Sequence, residues 1–543
     1  MARIKTLTPT ATLGRGSYVA VDTDEQTYKF DLGSALQSSG DISAYYDEGS
    51  GRYLNLDKWL SSQKNGKIYG AQIPKYSYTT GIACTKTGAN AGLSVTPATA
   101  SDPGSDDYAS EAPFCHWTVN GGADTDGTPY ATAFQLYDTA FSLYGDNGNV
   151  WELAPVLYWR YTEQDSYWLL EICDTWLDGF DPQPGAVLPD RTLRPFMLYA
   201  KYPGGLYNGS YASVSGVPLL NRTVSHNSLI TLTSSASTGY SGKSIADDWY
   251  IKVMFLLKYA AKSSQSVFAG CTGYTLQCYP TVAETGVKRV IVSNSDAASI
   301  EVGSAMMLGD QSTSTADRGN ASCYNVFDGL TVTRKEAYDS SNTAVYFKTD
   351  STFDVATTYR LSTAPWPCGC LDSVQGSDGT LTAAGRTNGR EPFRIQGIEC
   401  MHGAYEVLSG VILNAAEIDG ELKVEVHVAY DTADDATSIT SAFADTGVSL
   451  PTDSAAGWLY CTDIADAGGF LVPSGQGAST STGLGDGHYQ NVATSKGTRE
   501  FLGLGILVNW GDAGLFCDSS LNWLGSAGWY LGSRLSATGR SRG

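Results

Sequence analysis

The sequence has few charged residues and no long apolar run. Only 17% of its 543 residues are charged, whereas 42% are hydrophobic and 11% are aromatic, which excludes an intrinsically disordered chain. No stretch approaches the roughly 20 apolar residues that a membrane-spanning helix needs. Residues 1–6 begin no apolar segment of signal-peptide length. We therefore expect a folded protein that is made in a cytosol and is not inserted into a membrane.

Positive charge is also scarce. The chain has 35 Lys and Arg against 56 Asp and Glu, which gives a formal net charge of -21. A surface of this sign repels phosphate backbones, so we expect no nucleic-acid partner.

Motifs for metals and for catalysis are missing as well. The eleven cysteines form no CxxC pair, and the one tight pair, Cys368 and Cys370, has no second pair of ligands nearby in sequence. The pattern therefore predicts no disulfide framework, no metal and no cofactor, with most cysteines as small buried residues. The five histidines form no HExxH motif, and no GxSxG motif is present. We expect a protein that is not an enzyme.

Turn signals divide the chain into five predicted regions. Residues 18–22 and 27–30 alternate around the turn 23–26 and predict a β-hairpin. A module of about 35 residues cannot build its own core, so it should dock onto a partner or a neighbouring domain. The regions are an N-terminal attachment module (1–35), a β-rich region (36–130), the N-terminal part of the main domain (131–284), a β-rich inserted domain (285–385) and a C-terminal domain (386–543).

Helical periodicity appears in two places only. Residues 133–144 place four aromatic side chains on one stripe. Residues 245–262 keep helical spacing after Ser244, which is a suitable N-cap with Asp247 three residues later. The remaining apolar runs predict strands, namely 156–161, 167–172, 287–292, 330–333 and 344–347. Few helices among many strands predict an α+β, β-rich fold with mostly antiparallel sheets.

Three segments near the C-terminus carry recognisable motifs. They are Glu391-Pro392-Phe393-Arg394-Ile395-Gln396-Gly397-Ile398-Glu399; Phe470-Leu471-Val472-Pro473-Ser474-Gly475 with Gly485-Asp486; and 501–516 with Trp529, Gly532, Ser533, Arg534, Leu535 and Ser536. In this order and spacing, the set resembles the C-type-lectin-like domains of the formylglycine-generating-enzyme branch, which occur in phage tail proteins. Gln396 stands where that family usually has Arg.

The resemblance implies a C-terminal C-type-lectin-like domain that displays a binding surface. In members diversified by retroelements, the variable residues fall in the stretch that corresponds to 517–530. The candidate receptor-binding residues are therefore Cys517, Asp518, Ser519, Leu521, Asn522, Trp523, Gly525, Gly528 and Tyr530. The residues expected to form the scaffold of the site are Phe516, Trp529, Gly532, Arg534 and Leu535.

Individual roles follow from the residue types. Trp529 and Leu531 are expected in the core, because so apolar a stretch cannot be solvated throughout. Trp523 is expected to contact the receptor, since aromatic residues supply most hot-spot energy. Arg534 is expected to bridge backbone carbonyls. Trp523 also departs from the diversified pattern, because randomised Asn codons do not reach Trp.

The sequence thus favours a phage tail-fibre or baseplate receptor-binding protein that recognises a bacterial surface glycan or protein. It would lie at the virion tail tip, attach to other tail proteins through residues 1–35 and form a homotrimer. Two alternatives remain open. One is a tail-associated polysaccharide depolymerase, whose paired carboxylates sequence cannot identify. The other is a non-viral bacterial surface lectin or scaffold.

Overall fold

The computed structural model describes residues 18–23, 26–31, 42–310, 324–493 and 495–537. Near the N-terminus, strands Tyr18–Thr23 and Gln26–Asp31 pair antiparallel, with Thr23 opposite Gln26. The predicted hairpin is therefore confirmed. The rest of the predicted attachment module lies outside the described residues.

Two antiparallel sheets make up the N-terminal half. The six-stranded sheet has the order Met197–Ala200, Asn149–Ala154, Trp117–Ala123, Pro129–Phe134, Arg52–Tyr53 and Tyr46–Asp47. The five-stranded sheet has the order Asp181–Pro182, Tyr158–Glu163, Tyr167–Cys173, Tyr69–Pro74 and Thr85–Gly88. In the second sheet, Tyr158–Glu163 pairs antiparallel with Tyr167–Cys173, which confirms the strands predicted at 156–161 and 167–172. Both sheets combine strands from before and after residue 130, so the predicted division there is not a boundary between sheets.

The predicted helix at 133–144 is wrong. Its first residues end strand Pro129–Phe134, which pairs with Trp117–Ala123, and turns follow. The Asp138 carboxylate accepts hydrogen bonds from the Phe134 amide at 2.5 Å and from the Tyr53 hydroxyl, which stabilises the turn. The aromatic stripe is not buried, because the later tyrosines of the segment point to solvent.

The predicted helix at 245–262 is confirmed as Ile245–Tyr259, with Ser244 and Asp247 forming a capping box. Helix His226–Ala236, which sequence reasoning missed, starts with a second capping box at Ser225. The other α-helices among the described residues are Leu56–Ser61, Asn294–Ala298 and Gly385–Asn388. None of the helices in the described part of the chain is long and apolar enough to span a membrane.

The inserted region folds around its own six-stranded sheet. Its order is Gln277–Cys278, Arg360–Ala364, Ala305–Gly309, Phe327–Ala337, Asn342–Lys348 and Arg289–Ser293. Strands Glu284–Val287 and Phe353–Val355 pair beside it. A separate apolar cluster of residues between 278 and 361 packs against this sheet. The three strands predicted in this region, at 287–292, 330–333 and 344–347, are confirmed.

The C-terminal region contains an eight-stranded sheet. Its path is Ala444–Leu450, Glu421–Val428, Tyr405–Ile418, Gly497–Gly503, Asp518–Ser519, Gly487–Gln490 and Gly457–Tyr460, and Leu531–Gly532 pairs parallel with Tyr405–Ile418. Short pairs complete the fold, namely Phe393–Ile395 with Ile398–Cys400, Asp463–Asp466 with Leu471–Ser474, Gly205–Tyr207 with Ser210–Ala212, and Val95–Thr96 with Ser105–Asp106. The β-rich fold class is therefore confirmed.

The last described residues, 533–537, pack against segments from the middle of the chain. Ser536 forms bridges with Tyr199 and Ser241. Arg534, which is 1% exposed, pairs with Glu406 and donates to the carbonyls of Ala200 at 3.1 Å and Glu399 at 2.7 Å. Burial alone would raise the pKa of Glu406, but the charges of Arg534 and Lys243 outweigh it and lower this pKa to about 2. Arg534 thus bridges backbone carbonyls, as predicted, and ties the C-terminal segment to residues near 200 and 400.

The cysteines of the described residues are all free, and most are buried. This agrees with their predicted role as small core residues. Cys323 lies outside the described residues.

Candidate functional site

The predicted scaffold residues are all buried under the stretch 517–530. Phe516, Trp529, Arg534 and Leu535 are each at most 4% exposed, and Gly532 is buried with them. Trp529 and Leu531 lie in the core, as predicted. Buried side chains therefore support the 517–530 stretch, which is not a free loop.

The candidate receptor-binding residues divide into two groups. Leu521 is 39% exposed, Trp523 is 47% exposed, Gly525 is exposed, and Gly528 and Tyr530 are half-buried. Cys517, Asp518, Ser519 and Asn522 are buried instead. The prediction that these four side chains touch a receptor therefore needs correction, because they do not reach the surface of the chain.

The sheet explains why these four residues are buried. Strand Asp518–Ser519 lies between Gly497–Gly503 and Gly487–Gln490, so both of its edges are paired. Asp518 forms a buried ion pair with His488. The Asn522 side-chain amide donates to Glu500 Oε1 at 3.1 Å. These residues fix the position of the exposed ones.

Trp523 is held in one orientation by the strand below it. The Arg499 guanidinium carbon lies 3.3 Å from the centroid of the Trp523 ring, in a cation–π contact. Gly497 adopts a φ of 129°, and a Cβ there would lie 2.8 Å from the ring. Glycine at this position therefore makes room for the indole. Such a half-exposed but fixed tryptophan loses little conformational entropy on binding.

Sequence reasoning missed two further aromatic residues of this surface. Trp458 and Tyr489 are cross-strand partners whose ring centroids lie 5.2 Å apart, and both are half-buried. The Tyr489 carbonyl accepts a hydrogen bond from the Ser520 amide at 3.0 Å, which joins this pair to the 517–530 stretch. We use the name aromatic surface for five partly exposed residues at this end of the sheet, Trp458, Tyr489, Leu521, Trp523 and Tyr530, of which Trp523 lies on the opposite face of the sheet from Trp458 and Tyr489.

The aromatic surface continues along the edge strand Gly457–Tyr460. Tyr460 lies two residues after Trp458, and therefore on the same face of the strand. Its hydroxyl donates to the Asp512 carboxylate at 2.6 Å. Trp510, near this acidic group, is 57% exposed. The surface thus combines apolar rings with hydrogen-bonding hydroxyls and one carboxylate at its margin.

A buried titratable pair lies directly beneath the aromatic surface. Glu500 accepts from the amide of His226 at 2.8 Å and from Asn522, and burial raises the pKa of Glu500 to about 7. Burial opposes protonation of His226, but its hydrogen bond to Asp435 outweighs this and raises its pKa. Both groups therefore hold a proton more strongly in the folded protein than in the unfolded chain.

This pair makes stability depend on pH. Between about pH 4.5 and 7 the folded protein keeps the Glu500 proton that the unfolded chain releases, so the free energy of unfolding falls as pH rises. A pKa of about 7 instead of the ordinary 4.5 corresponds to about 3 kcal/mol. We expect Glu500→Gln to flatten the decline between pH 5 and 8 by up to that amount, measured by urea unfolding at each pH. The exposed change Glu421→Gln is the control, and parallel profiles for wild type and Glu500→Gln would contradict the assignment.

A second polar group lies in the N-terminal half. His116 Nδ1 is 2.7 Å from Glu152 Oε2, and its Nε2 is 3.0 Å from Ser377 Oγ. This order of groups is that of a serine-hydrolase triad. Glu152 is fully buried, however, and its other oxygen accepts from Lys201 at 2.7 Å and from Thr118 at 2.8 Å. Lys201 therefore neutralises part of the charge that would stabilise an imidazolium, which weakens the likeness to a catalytic triad.

No model of a known protein family matches the sequence, and a search of curated proteins finds no match.

Proposed function

We propose that this protein is a phage tail-tip or baseplate receptor-binding protein, and that its C-terminal, C-type-lectin-like domain recognises the bacterial host through the aromatic surface. The observation that carries the proposal is Trp523, which is half-exposed and stacked on the buried Arg499. Rigid aromatic residues at a surface are the usual anchors of protein recognition. The buried residues around 517–522 support that surface and take no part in contact.

The arrangement of the chain supports the adhesin reading. The three segments that resemble lectin-like tail proteins all lie in or beside the C-terminal sheet and its hairpin 393–400. The N-terminal hairpin pairs only with itself among the described residues, which suits a docking element for other tail proteins. We further propose a homotrimer at the virion tail tip, since tail tips have rotational symmetry. Several copies on one tail would raise avidity well above the affinity of one site.

Retroelement diversification is compatible with the structure at only some of the candidate variable positions. Replacement costs least at the exposed positions Leu521, Trp523 and Gly525 and at the half-buried Gly528 and Tyr530. At the buried positions of 517–522, replacement would disturb strand pairing and the ion pair of Asp518 with His488. We therefore propose that any diversity is confined to Leu521, Trp523, Gly525, Gly528 and Tyr530.

The test uses two matched triple variants of the soluble protein on a panel of bacterial isolates. Changing Leu521, Trp523 and Tyr530 together to Ala is expected to reduce cell binding by at least about 30-fold, which is what the loss of about 2 kcal/mol from hot-spot residues produces. The control changes Leu136, Trp176 and Tyr144, which are exposed residues of the same types, and should bind normally. Normal binding by the first variant, with a wild-type melting temperature, would place the binding surface elsewhere.

A second candidate function is hydrolysis of a surface polymer, and the order Ser377–His116–Glu152 favours it. The Lys201 contact to Glu152 makes it the weaker candidate. A cell-binding assay together with a lawn-clearing assay of Ser377→Ala separates the two candidate functions. An adhesin binds cells equally well with this change, whereas a hydrolase loses its clearing of the host lawn.

A further inference from the structure

Three metal-ligating side chains meet where the inserted sheet joins the C-terminal region. One donor atom from each of Cys370, Glu399 and His402 lies within 4.8 Å of the others. Glu399 belongs to strand Ile398–Cys400, and His402 follows it closely. Cys370 lies in the loop after strand Arg360–Ala364. Two segments of the chain, separated by 29 residues, therefore supply the three groups.

Backbone hydrogen bonds hold the cysteine against the carboxylate. The amides of Gly369 and Leu371 donate to the two oxygens of Glu399, at 2.9 and 2.8 Å. Cys370 lies between these two donors in sequence, so its side chain is carried to the same carboxylate. Each Glu399 oxygen accepts one hydrogen bond here, which leaves lone pairs for a cation.

The histidine is oriented as a metal ligand would be. His402 Nδ1 lies 3.1 Å from the Trp366 carbonyl, to which it donates, and the Trp366 amide donates back to the His402 carbonyl at 2.8 Å. A hydrogen bond from one ring nitrogen to a backbone carbonyl fixes the other nitrogen as a lone-pair donor. His402 is 3% exposed, and its Nε2 has no hydrogen-bond partner within the described structure.

The separation of the donors suits a small tetrahedral cation. His402 Nε2 and Glu399 Oε2 lie 3.3 Å apart without the alignment of a hydrogen bond. Two ligands bound to one tetrahedral zinc at about 2.1 Å lie about 3.4 Å apart. Cys370 Sγ lies 4.0 Å from His402 Nδ1, so zinc ligation through Nε2 requires the thiolate to move from that edge of the ring toward the other nitrogen.

We propose that Cys370, Glu399 and His402 bind one zinc ion. A mixed set of one sulfur, one nitrogen and one oxygen donor favours Zn²⁺ over Mg²⁺ or Ca²⁺, which take oxygen ligands. Neighbouring Cys368 is engaged with the Pro203 carbonyl at 3.1 Å, so the fourth position is open to water. Cys370 is only half-buried, which gives an ion a path of entry. The site would tie the base of the inserted sheet to the C-terminal region, whatever the protein binds.

The experiment measures zinc in the full-length protein after expression with added zinc and removal of free metal. Elemental analysis is expected to find about one zinc per chain in the wild type and in Cys84→Ser, a control cysteine that is also half-buried. Cys370→Ser should retain less than about a tenth of that amount. Equal zinc in wild type and Cys370→Ser, or no zinc in the wild type, would overturn the proposal.

A second measurement needs no variant. Alkylation of Cys370, followed by mass spectrometry, should become at least about tenfold faster when a chelator is added, because a zinc-bound thiolate is protected. Cys84 should show no such change. An unchanged rate at Cys370 would contradict zinc ligation even if the protein as isolated contained zinc.

Discussion

Truncating Trp529 to alanine is expected to lower the free energy of unfolding by about 3–5 kcal/mol, whereas the same change at Trp523 should cost no more than about 1 kcal/mol. Trp529 is 4% exposed and packs in the core cluster beneath the aromatic surface, and its carbonyl accepts a hydrogen bond from Asn221 at 2.7 Å. Removing it leaves a cavity that neighbouring side chains fill only partly. Trp523→Ala removes the stacking on Arg499 and the packing of the ring beside Gly497, and the ring is already about half exposed.

The two tryptophan variants form a matched pair for urea unfolding and for cell binding. Trp529→Ala should shift the unfolding midpoint strongly, and Trp523→Ala should leave it nearly unchanged while weakening binding. We expect stability and binding to respond separately, because Trp529 supports the fold and Trp523 contacts the receptor. Equal loss of stability in both variants would mean that Trp523 is a core residue after all.

Replacing Arg534 with glutamine is the second change with a large expected effect, a loss of about 3–5 kcal/mol. Arg534 pairs with the buried Glu406 and donates to the carbonyls of Ala200 and Glu399. Without the guanidinium, Glu406 keeps only Lys243 at 3.1 Å, and two buried carbonyls lose a donor. Removal of one partner from a buried, hydrogen-bonded ion pair is among the more costly single changes in a protein.

Urea unfolding and hydrogen exchange of residues 529–537 would measure this loss. Arg334→Gln is the control, because Arg334 and its partner Glu336 are both more than half exposed, and its unfolding midpoint should match the wild type. Exchange should accelerate at the C-terminal strand in Arg534→Gln only. Wild-type protection there would show that the Arg534 contacts add little to stability.

Local signals in the sequence predicted several elements well. The helix Ile245–Tyr259 combines a capping box with apolar periodicity, and the hairpins combine alternation with turn residues. Helix His226–Ala236 was missed because its many Ser and Thr residues favour caps and turns over helix interiors. The error at 133–144 has the opposite cause, since its aromatic spacing fits a helix although strand pairing decides the structure.

The sequence singled out the stretch that contains the candidate site, but it did not show which residues of that stretch are exposed. Motif resemblance singled out 517–530, yet the burial of Asp518 and Asn522 depends on strands far away in the chain. Trp458 and Tyr489 lie next to the 517–530 stretch because strands that are far apart in the sequence pair with each other. No local sequence pattern predicts such pairing. The same holds for the Cys370 site, where spacing of ligands in sequence argued against a metal and the fold brings them together.

The return of the chain end to the core has a consequence for biosynthesis. Glu406 precedes its partner Arg534 by 128 residues, so at roughly 5–20 residues per second a ribosome needs about 6–26 s to supply that partner. Until then the carboxylate lacks its arginine and Tyr199 lacks its partner Ser536. A transcript cut short by a premature stop codon therefore yields a chain that cannot close its core. Completing the last strand and closing the core beneath the aromatic surface are thus the same event, and a chain that stops before residue 534 lacks the donor that the buried Glu406 needs.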